Sequence, residues 1–275
     1  MAAGSDEISA FAVGSDHRLV QTDRIWSGGD HPISVTISGS RVYAVNDGGN
    51  GNIAGLSISA AGDLAPIAES IRPLSSAASG PAQISFTPDG TSLVVTEKAT
   101  NRITTYDVDT NGAAGPPHSV PSAGETPFGF EFDNKSHLIV SEAFGGAVDA
   151  STVSSYSVAG GTASLIDGPV PTTETAACWI VVTGNGKYAY ASNTGSGSIS
   201  GYAVSRGGDL TLLDADGVTG VSGGGPTDMS LSADSKYLYA RVGGSIVRFS
   251  IGKAGSLAND GTTVVQGGIV GLASL

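Results

Sequence analysis

The sequence predicts an all-β protein, a β-propeller of four-stranded blades. Three observations carry this prediction: a strand pattern that recurs every 45 to 50 residues, 41 Gly and 12 Pro among 275 residues, and the near absence of helical periodicity. A β-sandwich would also give many short strands, but not the same four-strand order five times.

The most regular repeat is the third strand of each unit, which ends in an aromatic residue or Leu. Its copies are ISAF from Ile8, IAGL from Ile53, ITTY from Ile103, VSSY from Val153, ISGY from Ile199 and IVRF from Ile246.

The other strands repeat in fixed order around it. First strands are predicted from Ile33, Ile84, Phe130, Ile180 and Met229. Second strands end at Asn46, Glu97, Glu142, Asn193 and Val242. A looser fourth strand closes each unit, as in the runs that end at Ile71 and Asp216.

The two ends of the chain predict an incomplete blade. The N-terminus begins with a third strand (7–13) and a fourth strand (19–26), and 270–275 resembles an isolated first strand. We expect one domain over 1–275, with five complete blades and a shared blade without its second strand. Unpaired strand edges would make self-association possible.

Composition excludes several classes of partner. With 13 basic and 25 acidic residues the net charge is −12, which argues against nucleic acid and anionic membranes. The sequence contains no apolar run of membrane-spanning length and no signal peptide, so we expect a soluble protein of unknown compartment. The single cysteine, Cys178, cannot form an internal disulfide bond.

The repeats resemble the lactonase-type β-propeller family that contains 6-phosphogluconolactonase and fungal 3-carboxymuconate cyclase. The resemblance is carried by SFTPDG at 85–90, LVVTE at 93–97 and GSGSISGYAV at 195–204. It implies a seven-bladed architecture in which this chain starts inside the second blade, with the N-terminal part missing.

The same resemblance implies a site residue and a departure. Family members commonly carry Pro-Arg-His before a first strand and Glu after the next second strand. The matching residues are Pro81, Ala82, Gln83 and Glu97, so the Glu is retained while the Arg and His are replaced.

In a blade, the connections into the first strand and out of the second strand meet on one face. We therefore expect a small-molecule site at the mouth of the central channel. The residues before the predicted first strands form one ring: Pro32, Gln83, Gly129, Trp179 and Asp228. The preceding positions form another: His31, Ala82, Phe128, Cys178 and Thr227.

Chemistry selects among these candidates. Glu97, Glu142 and His31 are predicted to exchange protons, because crowded carboxylates and an imidazole suit general acid/base catalysis. The predicted substrate-binding residues are Lys98, Gln83, Arg72, Asn46, Trp179, Asn193, Asp228 and Phe128. No cluster has metal-site spacing, and no cofactor is expected.

Three functions stay open. The chain could hydrolyse or form a small lactone by cofactor-independent acid/base catalysis, bind a ligand or protein without catalysis, or be an inactive remnant. The polar strand ends could also be structural and hydrogen-bond to neighbouring backbone.

Overall fold

The computed structural model describes residues 1–265 and 271–273, and it confirms the all-β propeller class. Its only helices in those residues are two short 3-10 segments, Phe144–Gly146 and Lys253–Gly255, neither long enough to cross a membrane.

The strands of the described residues form six antiparallel sheets, which we name the terminal sheet and blades 1 to 5. The terminal sheet has two strands, β1 (Glu7–Val13) and β2 (Leu19–Trp26). Blade 1 contains β3 (Pro32–Ser38), β4 (Arg41–Asn46), β5 (Asn52–Ile58), β6 (Leu64–Pro66) and β7 (Arg72–Pro73). Blade 2 contains β8 (Pro81–Phe86), β9 (Ser92–Glu97), β10 (Arg102–Asp107) and β11 (His118–Pro121).

The remaining blades repeat this order. Blade 3 contains β12 (Pro127–Phe132), β13 (His137–Glu142), β14 (Thr152–Ala159) and β15 (Thr162–Pro171). Blade 4 contains β16 (Ala177–Val182), β17 (Tyr188–Asn193), β18 (Ser198–Val204), β19 (Leu210–Leu212) and β20 (Gly220–Val221). Blade 5 contains β21 (Pro226–Leu231), β22 (Tyr237–Val242), β23 (Ser245–Ile251) and β24 (Leu257–Val264).

The chain divides into two compact units. One comprises 1–121 and 159–163, which includes the terminal sheet with blades 1 and 2. The other comprises 122–158 and 164–275, which includes most of blade 3 with blades 4 and 5. A single domain over 1–275 stays a prediction.

The fourth strand is divided in two blades. In blade 1 both β6 and β7 pair with β5, and in blade 4 both β19 and β20 pair with β18. Pro66 ends β6, and because proline has no N–H it cannot donate to the ladder. In these two blades the looser sequence pattern of the fourth strand reflects the interruption.

The repeated aromatic or Leu position of the third strand builds the core. Leu56, Tyr106, Tyr156, Tyr202 and Phe249 are each at most 2% exposed. The phenol groups also tie the blades together, since Tyr106 donates to the Pro73 carbonyl oxygen at 2.9 Å and Tyr202 to that of Val170 at 3.3 Å. Burial raises the pKa of both phenols.

Every first strand begins with a β-bulge, and this corrects the predicted alignment of blade 1. The register shifts by one residue after Pro32, Pro81, Pro127, Ala177 and Pro226. Pairing with the second strand shows that Val35, not Ile33, is the equivalent of Ile84. The sequence alignment of blade 1 was wrong by two residues, because an apolar residue lies at both positions and a bulge breaks strict alternation.

The correction moves His31 out of its predicted ring. Ile33 is the blade 1 equivalent of Ala82, and His31 corresponds to Gly80 instead. Both His31 and Gly80 have positive φ, 57° and 59°, and lie in the tight turn before the first strand. His31 therefore occupies a turn position.

The terminal sheet has one packed face. β1 and β2 match the predicted bounds, and Ile8 and Ala10 pack into a cluster with Val42, Ala44, Leu56 and Leu64. Phe11 stands at the repeated core position but is 50% exposed, and a bulge separates it from Ala10. Of the terminal first strand predicted over 270–275, residues 270, 274 and 275 lie outside the described residues, and 271–273 are not in a strand. Self-association through the terminal sheet stays a prediction.

We expect amide hydrogens in β1 and β2 to exchange faster than those in β9, whose residues are all buried. The cause is that Phe11, Val13, Leu19 and Val20 are at least 50% exposed, so little apolar burial opposes local opening. Hydrogen–deuterium exchange by mass spectrometry measures this difference. Equal protection of the peptides covering β1 and β9 would contradict it.

Candidate functional site

The last residue of the second strand is polar and fully buried in four successive blades. Asn46, Glu97, Glu142 and Asn193 each have no exposed surface. We call these four residues the strand-end hubs. Buried polar groups are costly unless hydrogen-bonded, so their partners indicate what each hub does.

Glu97 is surrounded by neutral donors from its own unit. The Ser75 N–H and the Thr104 hydroxyl donate to its Oε1 at 3.0 and 2.7 Å. The hydroxyls of Thr100, at 2.9 Å, and of Ser75 donate to its Oε2. Because Ser75 lies in the connection from β7 to β8, this carboxylate fastens the incoming chain to the blade.

Glu142 repeats the arrangement in blade 3. A Cβ on Gly124 would lie 2.6 Å from Cδ of Glu142, so only glycine lets the incoming connection pass this close to the carboxyl group. The carboxyl group of Glu142 accepts from the Gly124 N–H at 2.9 Å. It also accepts from four hydroxyls, those of Ser122 at 3.1 Å, Ser154 at 2.9 Å, Tyr156 at 3.4 Å and Thr152.

The two asparagine hubs, Asn46 and Asn193, form hydrogen bonds through their side-chain amides at the same strand position. Asn46 accepts from the Ser27 hydroxyl at 2.8 Å and donates to Asn52 Oδ1 at 2.7 Å. Asn193 donates to Ser198 and Ser200 at 3.1 and 2.8 Å. Its Oδ1 has no hydrogen-bond partner among the described residues.

The two glutamate hubs are thus enclosed by neutral donors. Within the described residues neither Glu97 nor Glu142 forms an ion pair within 4.0 Å, although Lys98 follows Glu97 directly. Four or five donors replace the water that a buried carboxylate loses. This geometry supports the structural alternative for these two residues, since a proton-transfer group must reach its substrate.

The other candidates of the first unit are dispersed. The His31 N–H donates to Asp6 Oδ1 at 2.7 Å, and the residue is exposed. Gln83 and Lys98 are half-buried, and the Cε of Lys98 lies 3.9 Å from the Cβ position of Gly80.

Arg72 is directed away from Glu97. Its Nε donates to the Gly115 carbonyl oxygen at 3.1 Å, beside the end of β10 that carries Asp107. Glu97 pairs with Arg102 at the other end of β10, so five residues, about 17 Å of strand, separate the two levels.

In the second unit, the predicted residues Phe128, Trp179 and Asp228 lie near the start of their first strands. Phe128 and Trp179 are half-buried, and the Trp179 N–H donates to the Ser192 hydroxyl at 2.9 Å. A Cβ on Gly129 would lie 2.7 Å from the Cys178 carbonyl oxygen, so this glycine allows β12 and β16 to approach closely.

Asp228 is a buried carboxylate with an incomplete set of partners. Its Oδ2 accepts from the Leu272 N–H at 2.7 Å, whereas Oδ1 has no partner among the described residues. Burial raises the pKa of Asp228, and the Leu272 N–H and the charge of Arg241 oppose that shift.

Sequence reasoning missed Glu131, which combines exposure with a perturbed pKa. The residue lies on β12, is solvent-exposed and accepts a hydrogen bond from the Val182 N–H of β16 at 2.6 Å. Partial burial of its carboxylate raises the pKa of Glu131 to about 7, against the effect of that hydrogen bond.

The equivalent residues of other blades show which side chains the fold needs at the position of Glu131. The equivalents of Glu131, set by pairing with the second strand, are Thr36, Ser85, Val181 and Ser230. The Thr36 hydroxyl accepts from the Phe86 N–H at 3.2 Å, the same contact between blades. A hydroxyl is therefore sufficient for packing, and a carboxylate there is chemistry that the fold does not demand. The sequence alignment already set Glu131 against Ser85, Val181 and Ser230, and the bulged register adds Thr36 of blade 1 to this set.

The described residues contain no group of three or more His, Cys, Asp or Glu side chains that could hold a metal ion.

We expect Glu97→Gln to lower the free energy of unfolding by about 1 kcal/mol, because the amide keeps one acceptor and hydroxyl partners can reverse their roles. Glu97→Leu should cost about 3 kcal/mol or more, since it leaves the Ser75 N–H without a partner. Urea unfolding measures both values.

Exposed Glu125 provides the control, and Glu125→Gln should change stability by less than about 0.5 kcal/mol. If Glu97→Leu is as stable as the unaltered chain, the hub does not hold the connection.

Comparison with known proteins supports the architecture. The sequence model of a family described as "Lactonase, 7-bladed beta-propeller" matches residues 50–165 and 160–270. No curated protein sequence matches the chain significantly.

Solved structures show the same fold at low identity. A putative 6-phosphogluconolactonase from Bacteroides fragilis is 21% identical with a TM-score of 0.77, and 94% of this chain covers 78% of that one. The periplasmic gluconolactonase PpgL of Pseudomonas aeruginosa is 16% identical with a TM-score of 0.77, and 94% of this chain covers 77% of it. Because the two family matches cover most of the sequence, this chain belongs to the seven-bladed lactonase β-propeller family.

Proposed function

We propose that the protein hydrolyses or forms a small lactone by cofactor-independent acid/base catalysis, with Glu131 as the proton-transfer group. Membership of the lactonase family supports the reaction class. The observation that carries the proposal is an exposed residue whose partly buried carboxyl group has a pKa of about 7, at a position where other blades have a hydroxyl or Val.

The chemistry needs one such group. In hydrolysis the carboxylate takes a proton from water while the water oxygen bonds to the lactone carbonyl carbon. The ring C–O bond then breaks, and the proton passes to the leaving oxygen, so water and lactone give a hydroxy acid. A group with a pKa near the working pH is efficient in both steps.

The earlier set of Glu97, Glu142 and His31, with Lys98 and Arg72 as anion binders, stays a second proposal. Its weakness is that both carboxylates are fully buried. A non-catalytic ligand-binding propeller is the alternative function. It is favoured by the Glu131 contact with Val182, which could be structural, as the contact of Thr36 is.

We expect Glu131→Gln to reduce kcat/KM on a panel of γ- and δ-lactones by about a hundredfold or more, because it keeps the acceptor for Val182 and removes proton transfer. Glu125→Gln is the matched control, since it makes the same change at another exposed glutamate and should leave the rate within about twofold.

The outcomes separate the proposals. A Glu131→Gln rate within about twofold of the unaltered chain contradicts the Glu131 site. A comparable loss in Glu97→Gln and Glu142→Gln, with little loss of stability, would favour the earlier set. No hydrolysis of any lactone by the unaltered chain would favour the binding function.

Glu131 should also make stability depend on pH. Its pKa is raised from 4.5 to about 7 in the folded chain, so the native state holds this proton more tightly than the unfolded state. The resulting stabilisation is complete below about pH 4.5 and is lost as the pH rises through about 7. As the pH rises from about 4.5 to above 7, the stability of Glu131→Gln should therefore increase relative to that of the unaltered chain. Urea unfolding at pH 5 and pH 8 measures this, and a constant difference would contradict it.

A further inference from the structure

Basic residues are scarce in this chain, yet three of its 13 line one surface pocket in the second unit. Lys135, Lys187 and Arg206 are exposed around a depression of about 440 Å³. None of the residues that line this depression is acidic. The volume is enough for a small ligand.

Three turns contribute the charges. Lys135 lies between β12 and β13, Lys187 between β16 and β17, and Arg206 between β18 and β19. Gly186 has φ of 65°, and the Asn134 side chain occupies the space that a Cβ there would need, so the first two turns lie against each other.

The three cations lack acidic partners. Among the described residues none of them forms an ion pair within 4.0 Å, whereas Lys236 pairs with Asp234 and Arg248 with Asp260, both at 2.8 Å. The nearest acid along the chain from Arg206, Asp209, accepts a hydrogen bond from the Ser205 hydroxyl at 2.6 Å.

A comparison with blade 5 shows that Lys187 lacks an acidic partner because position 185 is Asn. The turn TGNGKY at 183–188 has the same contacts as SADSKY at 232–237: Asn185 Oδ1 accepts from the Lys187 N–H at 2.9 Å, and Asp234 Oδ1 from that of Lys236 at 3.1 Å. Asp234 uses its second oxygen to pair with the Lys236 ammonium. Asn185 has an amide nitrogen there, so the turn is kept while the acid is replaced by a donor.

We propose that this pocket binds the phosphate group of a small phosphorylated molecule. Three cations and the Asn185 amide surround one volume, and charge-assisted hydrogen bonds to an oxyanion are the strongest contacts that such donors form. Nucleic acid is disfavoured because the chain as a whole carries a net charge of −12. The inference does not rest on the proposed lactonase activity.

The test is calorimetric titration with glycerol 3-phosphate, inorganic phosphate and glycerol at ionic strength matched with chloride. We expect saturable binding of glycerol 3-phosphate and none of glycerol. Lys187→Gln, Arg206→Gln and Asn185→Asp should each weaken binding at least about fivefold, the last because it supplies Lys187 with the partner that Lys236 has.

Lys236→Gln is the matched control, and it should keep the affinity within about twofold. All these positions are exposed turns, and thermal unfolding checks that each variant is folded. Equal binding of inorganic phosphate would support the site and assign the contacts to the phosphate group alone. No saturable binding, or an equal loss in Lys236→Gln, would overturn the proposal.

Discussion

The architecture depends on a hydrogen-bonding constraint at the ends of the second strands of blades 1 to 3. A propeller chain must leave the fourth strand of one blade and enter the first strand of the next, and that connection carries backbone groups that no ladder satisfies. Ser27, Ser75 and Ser122 lie in three such connections and donate to the hubs Asn46, Glu97 and Glu142. The hub therefore couples the route of the connection to the register of the sheet, and the bulge after each first-strand proline lies directly beside this coupling.

Much of the fold could be predicted from the sequence, because strand order and blade period follow from local composition. The bounds of β1 and β2 agree with the prediction, and so do the ends of the second strands. What could not be predicted was register. A bulge adds one residue that the sequence does not mark, so the two apolar residues Ile33 and Val35 were indistinguishable, and His31 was aligned with the wrong position.

The site was less predictable than the fold for a related reason. A glutamate at the end of a strand has the same sequence pattern whether hydroxyls enclose it or a substrate reaches it. Burial and donors distinguish these cases, and they separate the enclosed Glu97 from the exposed Glu131. Glu131 became a candidate through its exposure and its raised pKa, while Thr36 and Ser85 at the equivalent positions show that the fold does not require a carboxylate there.

The hub carboxylates have one more consequence, which concerns ionic strength. Interactions between exposed opposite charges weaken as salt screens them, but a carboxylate held by hydroxyls and N–H groups in a closed interior has no distant counter-charge to lose. The joints of blades 2 and 3 are built in this way, around Glu97 and Glu142. A chain of net charge −12 also repels itself least when salt is abundant. The hydrogen bonds at these two joints should therefore keep their strength in concentrated salt, where exposed ion pairs weaken.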